Sequence, residues 1–344
     1  MDRKSFGYTK EGKSCDLFTC GTDRFSISVS DYGASLVNLI VTNKSGTPVD
    51  IVLGYDDVSG YESDRGYYFG CNVGRNANRI SNARFVLNGV EYLLDKNDGD
   101  NNLHSGHLPY SKRIWKLESR SDTTITFSLD SSHMDQGFPG SLKMYVTYEI
   151  ISDNSFRIIY EATPDMDTIL NVTNHSYFNL NGEGSGNIHN HKLLLNAAYF
   201  TPSDEFSIPT GEILSVDNTP MDFRKMKAIG KEIEADFTQL IYAKGYDHNW
   251  VTDTSGMLHE IATLQGDKSG ISMTIATDYP GVQVYTGNFL EQVCGKNGHI
   301  YSRRDGVCFE PQFYPDAINR PEFISPVCKA GEKFRKEIVY RFDE

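Results

Sequence analysis

The residues best equipped for chemistry in this chain fall in five short polar stretches. They read "GRNANRI" (74–80), "NNLHSGH" (101–107), "TNHSYFNL" (173–180), "GYDHNWV" (245–251) and "FEPQFYPDAIN" (309–319). Together they hold four of the nine histidines (His104, His107, His175 and His248), two separated carboxylates (Asp247 and Glu310) and Arg79. His175 is the sharpest case: it sits among asparagines, Tyr177 and Phe178, just before the glycine-rich "NGEGSGN". It can be a hydrogen-bonded structural group, a metal ligand or a proton carrier. Taken singly, each residue has an ordinary reading. Arg79 fits an ion pair, Asp247 a turn, His104 and His248 core or surface positions, and "EPQFYPDAIN" a connection whose prolines fix φ. Taken together they are the inventory of a sugar site, where hydroxyls need both donors and acceptors and aromatic rings suit the apolar face of a pyranose.

Other chemistries find less support. "NIHNH" sets His189 and His191 two apart, which predicts one shared strand face, but no cysteine or carboxylate follows at ligand spacing. "DKNDGDNN" (95–102) has the acidic character of a calcium loop, yet its glycine falls one place early and Gly106 stands where the bidentate glutamate belongs. No G-x-S-x-G elbow is present, and "GEGSG" is too short for a dinucleotide fingerprint. No metal is expected.

The elements that must position these groups have a period of two. "RFSISVSDYGASLVNLIV", "TITFSL", "LKMYVTYEI", "SFRIIYEAT", "ISMTIAT", "GVQVYTGNF" and "KFRKEIVYRF" alternate, or run β-branched and aromatic, over strand lengths. In "ARFVLNGVEYLL", Asn88-Gly89 supplies the two positive-φ positions of a type I′ hairpin turn. Helical signal is sparse: the segment 223–243, interrupted by Gly230, is the strongest candidate, and a short turn is expected near "DDVSGYES". These patterns predict an all-β chain, a large antiparallel β-sandwich with few short helices, folded as a single domain over 1–344.

The 344 residues carry a net charge of −13. That acidity disfavours nucleic acid and anionic membranes as partners. No secretory h-region or membrane-length apolar run is visible, so a cytoplasmic location is expected. The six scattered cysteines are expected to be reduced and mostly buried. Monomer and homodimer are both compatible with this composition.

In this order, "GRNANRI", "NHSYFNL", "YDHNW", "GVQVYTGNF" and "EPQFYPDAIN" make the chain resemble the aldose 1-epimerase (galactose mutarotase) family, from "YGASLVNLIV" to the closing "EIVYRF". The resemblance implies a mutarotase-like β-sandwich with an open sugar cleft, and cofactor-free exchange of the α and β anomers of free aldohexoses such as galactose and glucose. By motif it implies Glu310 as general base, His175 as general acid and His104 as a second active-site histidine. Asn78, Arg79, Asp247 and Gln283 then bind sugar hydroxyls, with Tyr177 helping to hold His175 and the substrate. One departure is visible: Ser105-Gly106 follows His104 where the family usually has two glycines. A hexose-phosphate epimerase and a non-catalytic sugar-binding or sensor protein on the same fold are the alternatives.

Overall fold

The computed structural model describes residues 2–252 and 255–343. The strands gather mainly into three antiparallel sheets of five, nine and six strands. The five-stranded sheet is a meander from Asp2–Tyr8 to Pro48–Asp50. At the middle of the nine-stranded sheet, the C-terminal strand Phe334–Asp343 lies between Ser155–Ala162 and Ser272–Thr277. The six-stranded sheet runs in the order Tyr177–Phe178, Val307–Gln312, Gly281–Tyr285, Asp247–Val251, Tyr199–Thr201 and Leu214–Ser215.

One continuous apolar cluster joins all three sheets. It takes Ile27 and Leu39 from the first, Phe127, Val146, Ile158 and Ile338 from the second, and Trp250, Val282, Val284 and Phe309 from the third. The last four alternate with Asp247, Gln283, Tyr285 and Glu310 along their strands. Because successive side chains point to opposite faces, packing the apolar set into the core turns the polar set outward. The pattern that builds the sandwich therefore also gathers these polar groups on one face of the six-stranded sheet.

The hairpin forms as expected: Arg84–Leu87 pairs with Val90–Leu93 across Asn88 (φ 52°) and Gly89 (φ 78°). The turn near "DDVSGYES" is a short helix, Val58–Ser63, capped by the Asp57 side chain. The long helix expected over 223–243 does not form. Lys227–Ala228 instead pairs with Lys192–Leu193 as an edge strand, and helical turns are confined to Ile229–Lys231 and Thr238–Ala243. At Gly230 the backbone runs so close to His189 that an added Cβ would lie 2.8 Å from that residue's own Cβ. Sheet pairing and close packing outweigh helical propensity here. All six cysteines are free thiols, five of them buried.

Candidate active site

Four neighbouring strands set out the groups of the site in register. Asp247 lies opposite Tyr285, which lies opposite Cys308, which lies opposite Tyr177. The next row on that face is Asn249, Gln283 and Glu310. Gln283 Nε2 donates to Asp247 Oδ1 at 2.7 Å, a diagonal cross-strand contact that fixes both side chains.

The histidines arrive from outside this sheet. His175 follows the short pairing of Thr173–Asn174 with Asn72–Val73, and its main chain bonds to Cys71 O and Gly70 N. His104 follows Asn102–Leu103, which pairs with Arg79–Ile80. His104 N–H donates to Asn78 O, and Asn78 N–H donates back to His104 Nδ1 at 3.1 Å. A main-chain N–H can only donate, so Nδ1 carries a lone pair and the neutral ring keeps its proton on Nε2. Ser105 tolerates its positive φ of 72° because its hydroxyl accepts from Asn76 N at 2.8 Å and donates to Asn76 O at 3.0 Å. The departure from glycine thus ties the His104 turn to the 74–80 segment. Arg75 anchors the same segment: its fully buried guanidinium bonds to Pro139 O (2.6 Å), Gly140 O (2.9 Å), Ser131 Oγ (2.8 Å) and Ser132 O (3.0 Å).

The reactive groups meet above Glu310. His175 Nε2 lies 3.6 Å from Glu310 Oε1, and the His104 and His175 rings are 5.5 Å apart, edge to face. Glu310 Oε2 is buried without a protein partner, as is Gln283 Oε1. Unpaired buried oxygens side by side suit hydroxyl donors from a ligand. Arg79 reaches the site already paired, its Nε 2.7 Å from Asp98 Oδ2.

Burial sets the protonation. It pushes the Glu310 carboxyl well above the usual carboxylate range, reinforced by Asp247 and opposed by Arg79. It also pushes His175 down to about 4, and His104 well below its ordinary value. Asp247 is raised by burial, against the pull of Arg79 and Gln283. Burial therefore disfavours both charged forms of the pair and favours a neutral carboxyl beside a neutral imidazole.

Of the residues read from the sequence, His104, His175, Glu310, Asp247, Gln283, Asn78 and Arg79 converge here. Tyr177 stands behind His175, ring centroids 5.2 Å apart and only 1% exposed. His248 faces away: its Nδ1 accepts from Asp247 N, and its ring packs against Trp250. His189 and His191 do not share a strand face, because His189 lies in a turn while His191 is fully buried and accepts from Leu180 N. Tyr68, whose ring is 4.8 Å from His104 and 5.8 Å from His175, was not singled out in the sequence. Neither was Tyr285, 6.3 Å from His175, although the alternation of "GVQVY" puts it on the same face as Gln283. Ligand atoms of His104, His175 and Glu310 also lie within 4.8 Å of one another, a geometry that a divalent ion could exploit as well.

The sequence model of one family, described as Aldose 1-epimerase, matches residues 16–341. The chain belongs to the aldose 1-epimerase family. Among its relatives, the galactose mutarotase of Bos taurus is 38% identical over 328 residues, 95% of this chain and 94% of that protein. The aldose 1-epimerase of Escherichia coli K12 is 35% identical over 319 residues, 92% and 91% of the two chains. Among solved structures, the GalM/aldose epimerase homologue from C. elegans superposes with a TM-score of 0.87 at 30% identity, covering 95% of this chain and 98% of that one. A galactose 1-epimerase from Lactobacillus acidophilus gives 0.85 at 26% identity, covering 100% and 98%. The β-sandwich is thus the aldose 1-epimerase fold, and no helix among the described residues is long and apolar enough to cross a membrane.

Proposed function

We propose that the chain is a cofactor-independent isomerase that interconverts the α and β anomers of free aldohexoses such as galactose and glucose. The observation that carries this reading is the buried pair of Glu310 and His175, 3.6 Å apart among the polar side chains of the six-stranded sheet, in a chain of this family. Anomer exchange needs a base for the C1 hydroxyl and an acid for the ring oxygen. Glu310, ionised as the sugar binds, takes the hydroxyl proton while the His175 imidazolium gives its proton to O5. The C1–O5 bond breaks, the aldehyde rotates about C1–C2, and the reverse transfers close the other face. Each such group typically contributes about 10²–10⁴-fold.

Burial assists the ring-opening step. Opening carries the pair from carboxylate plus imidazolium, which a buried site opposes, to carboxylic acid plus neutral imidazole, which it favours. The proton count of the pair does not change, so no exchange with bulk water is needed. His104, with its proton on Nε2, is a fixed donor to the developing aldehyde oxygen or to a neighbouring hydroxyl. Asn78, Arg79, Asp247 and Gln283 bind the remaining hydroxyls, and Tyr177 supports the His175 ring from behind.

A phosphorylated hexose fits less well. Arg75 is spent on internal acceptors and the charge of Arg79 is paired with Asp98, which leaves its terminal nitrogens to hydroxyls, so the five polar stretches offer a phosphate no unpaired arginine charge. A binding protein without turnover has no need for a matched acid and base. We further propose a single folding unit, a cytoplasmic location and no nucleic-acid partner, the last in keeping with the charge of −13. Polarimetry of freshly dissolved α-D-galactose tests the activity. Acceleration to the equilibrium rotation supports it, and a rate equal to the buffer blank overturns it.

A further inference from the structure

Cys308 is fully buried on the strand Val307–Gln312, two residues before Glu310 and on the same face. Its Sγ lies 3.6 Å from His175 Nδ1, within reach of a hydrogen bond to sulfur. Tyr177 lies opposite Cys308 in the ladder. His175 is therefore backed at Nδ1 by a buried sulfur, while its Nε2 points at Glu310.

We propose that Cys308 is a positioning residue that keeps the proton of His175 on Nδ1, so that Nε2 is the nitrogen that exchanges protons with the substrate. The inference rests on the mutarotase reading for its purpose, although its geometry does not. A ring that gives and regains a proton at Nε2 must keep its other proton on Nδ1 throughout the cycle. Its Nδ1 partner must then be an acceptor. A thiol sulfur can accept there, 3.6 Å from Nδ1, and the Glu310 carboxyl on the other side of the ring, raised by burial, favours a lone pair on Nε2. His104 is the opposite case: its Nδ1 faces a main-chain N–H, which forces the proton to Nε2. The two active-site histidines are thus set in opposite tautomers by what lies behind them, one as a fixed donor and one as an exchanger.

A weak acceptor also suits the role better than a carboxylate in the same place. An anion behind the ring would hold the imidazolium and make it a poorer acid toward O5. Neutral sulfur fixes orientation and tautomer without that cost.

The test is nitrogen NMR on the full chain with ¹⁵N-labelled histidine, with the His175 and His104 signals assigned by their loss in His175→Asn and His104→Asn. The ligand-free protein at neutral pH should show His175 protonated on Nδ1 and His104 protonated on Nε2. A His175 proton on Nε2 overturns the proposal whether or not the protein turns over sugar, and the expected tautomer in a protein without mutarotase activity would overturn only the functional reading. Kinetics give a second readout. Cys308→Ala should lower kcat by about tenfold, the scale of one lost buried hydrogen bond, with KM for galactose little changed. Cys308→Ser, which restores an acceptor, should recover most of that loss and the Nδ1 tautomer. Wild-type kcat in Cys308→Ala, or no recovery in a folded Cys308→Ser, would overturn the assignment.

Discussion

His191 provides a stability prediction that can be worked from a single side chain. It is fully buried, its Nε2 accepts from Leu180 N at 3.0 Å, and burial lowers it from 6.5 to about 4, although Asp267, 3.4 Å away, pulls the other way. A group whose folded value lies below its unfolded one contributes stability that is present above the unfolded value and is lost as pH falls through the folded one. The interval from 6.5 to about 4, at about 1.4 kcal/mol per pH unit, amounts to roughly 3 kcal/mol. His191→Gln keeps an acceptor for Leu180 N and removes the titration. Urea unfolding of both proteins at several pH values between 7.5 and 4 is the assay. On acidification the wild type should lose roughly 3 kcal/mol more than the variant, so a variant that is weaker at neutral pH converges on or crosses the wild type in acid. Parallel curves, equal within about 0.5 kcal/mol across that range, would refute the argument that His191 is neutral because it is buried.

Three further outcomes concern the site. Asp247→Ala should weaken transition-state binding by about 1.5–3 kcal/mol, seen mainly as a raised KM, because a charged hydrogen bond to a hydroxyl is lost; unchanged kinetics on every aldose tried would remove Asp247 from the site. The pH profile of kcat/KM should be a bell whose limbs belong to the pair rather than to either residue. Activity should fall on the acid side as His175 takes the second proton, near its value of about 4, and on the alkaline side as the raised Glu310 carboxyl gives up the last one; an acid limb near pH 6.5 would show that burial does not control the ring. Dialysis against a strong chelator should leave turnover intact, and a loss reversed by one divalent ion would assign His104, His175 and Glu310 to a metal instead.

Period-two patterning carried most of the fold into view. It marked the strands and, through alternation, the split between Trp250, Val282 and Phe309 on one face and Asp247, Gln283 and Glu310 on the other. The convergence of five distant stretches was legible only because the motifs occurred together, since no local signal says which strands become neighbours. Segment 223–243 misled because its helical period competes with a tertiary preference, the edge pairing of Lys227–Ala228. Tyr68 was hidden because an aromatic in "GYYFG" looks like core, and its approach to His104 depends on a turn at φ 60°. In the sequence Cys308 is only one of six scattered cysteines, expected to be reduced and mostly buried. Its contact with His175 spans 133 positions of sequence and exists only once the strand holding Tyr177 pairs beside Val307–Gln312. Tyr177, which the motif implies holds both His175 and the substrate, lies opposite Cys308 with its ring centroid 5.2 Å from that of the imidazole.

The central claim is that Glu310 and His175 exchange protons with a sugar as one unit. It is tested most directly by polarimetric rates on α-D-galactose for the wild type, Glu310→Gln, His175→Asn and the double variant. The wild type should show fast mutarotation and each single variant a steep fall in kcat, with sugar binding largely kept in Glu310→Gln. The double variant should be little slower than either single one, because groups that act in one step are not additive. Near-wild-type turnover by Glu310→Gln would contradict it.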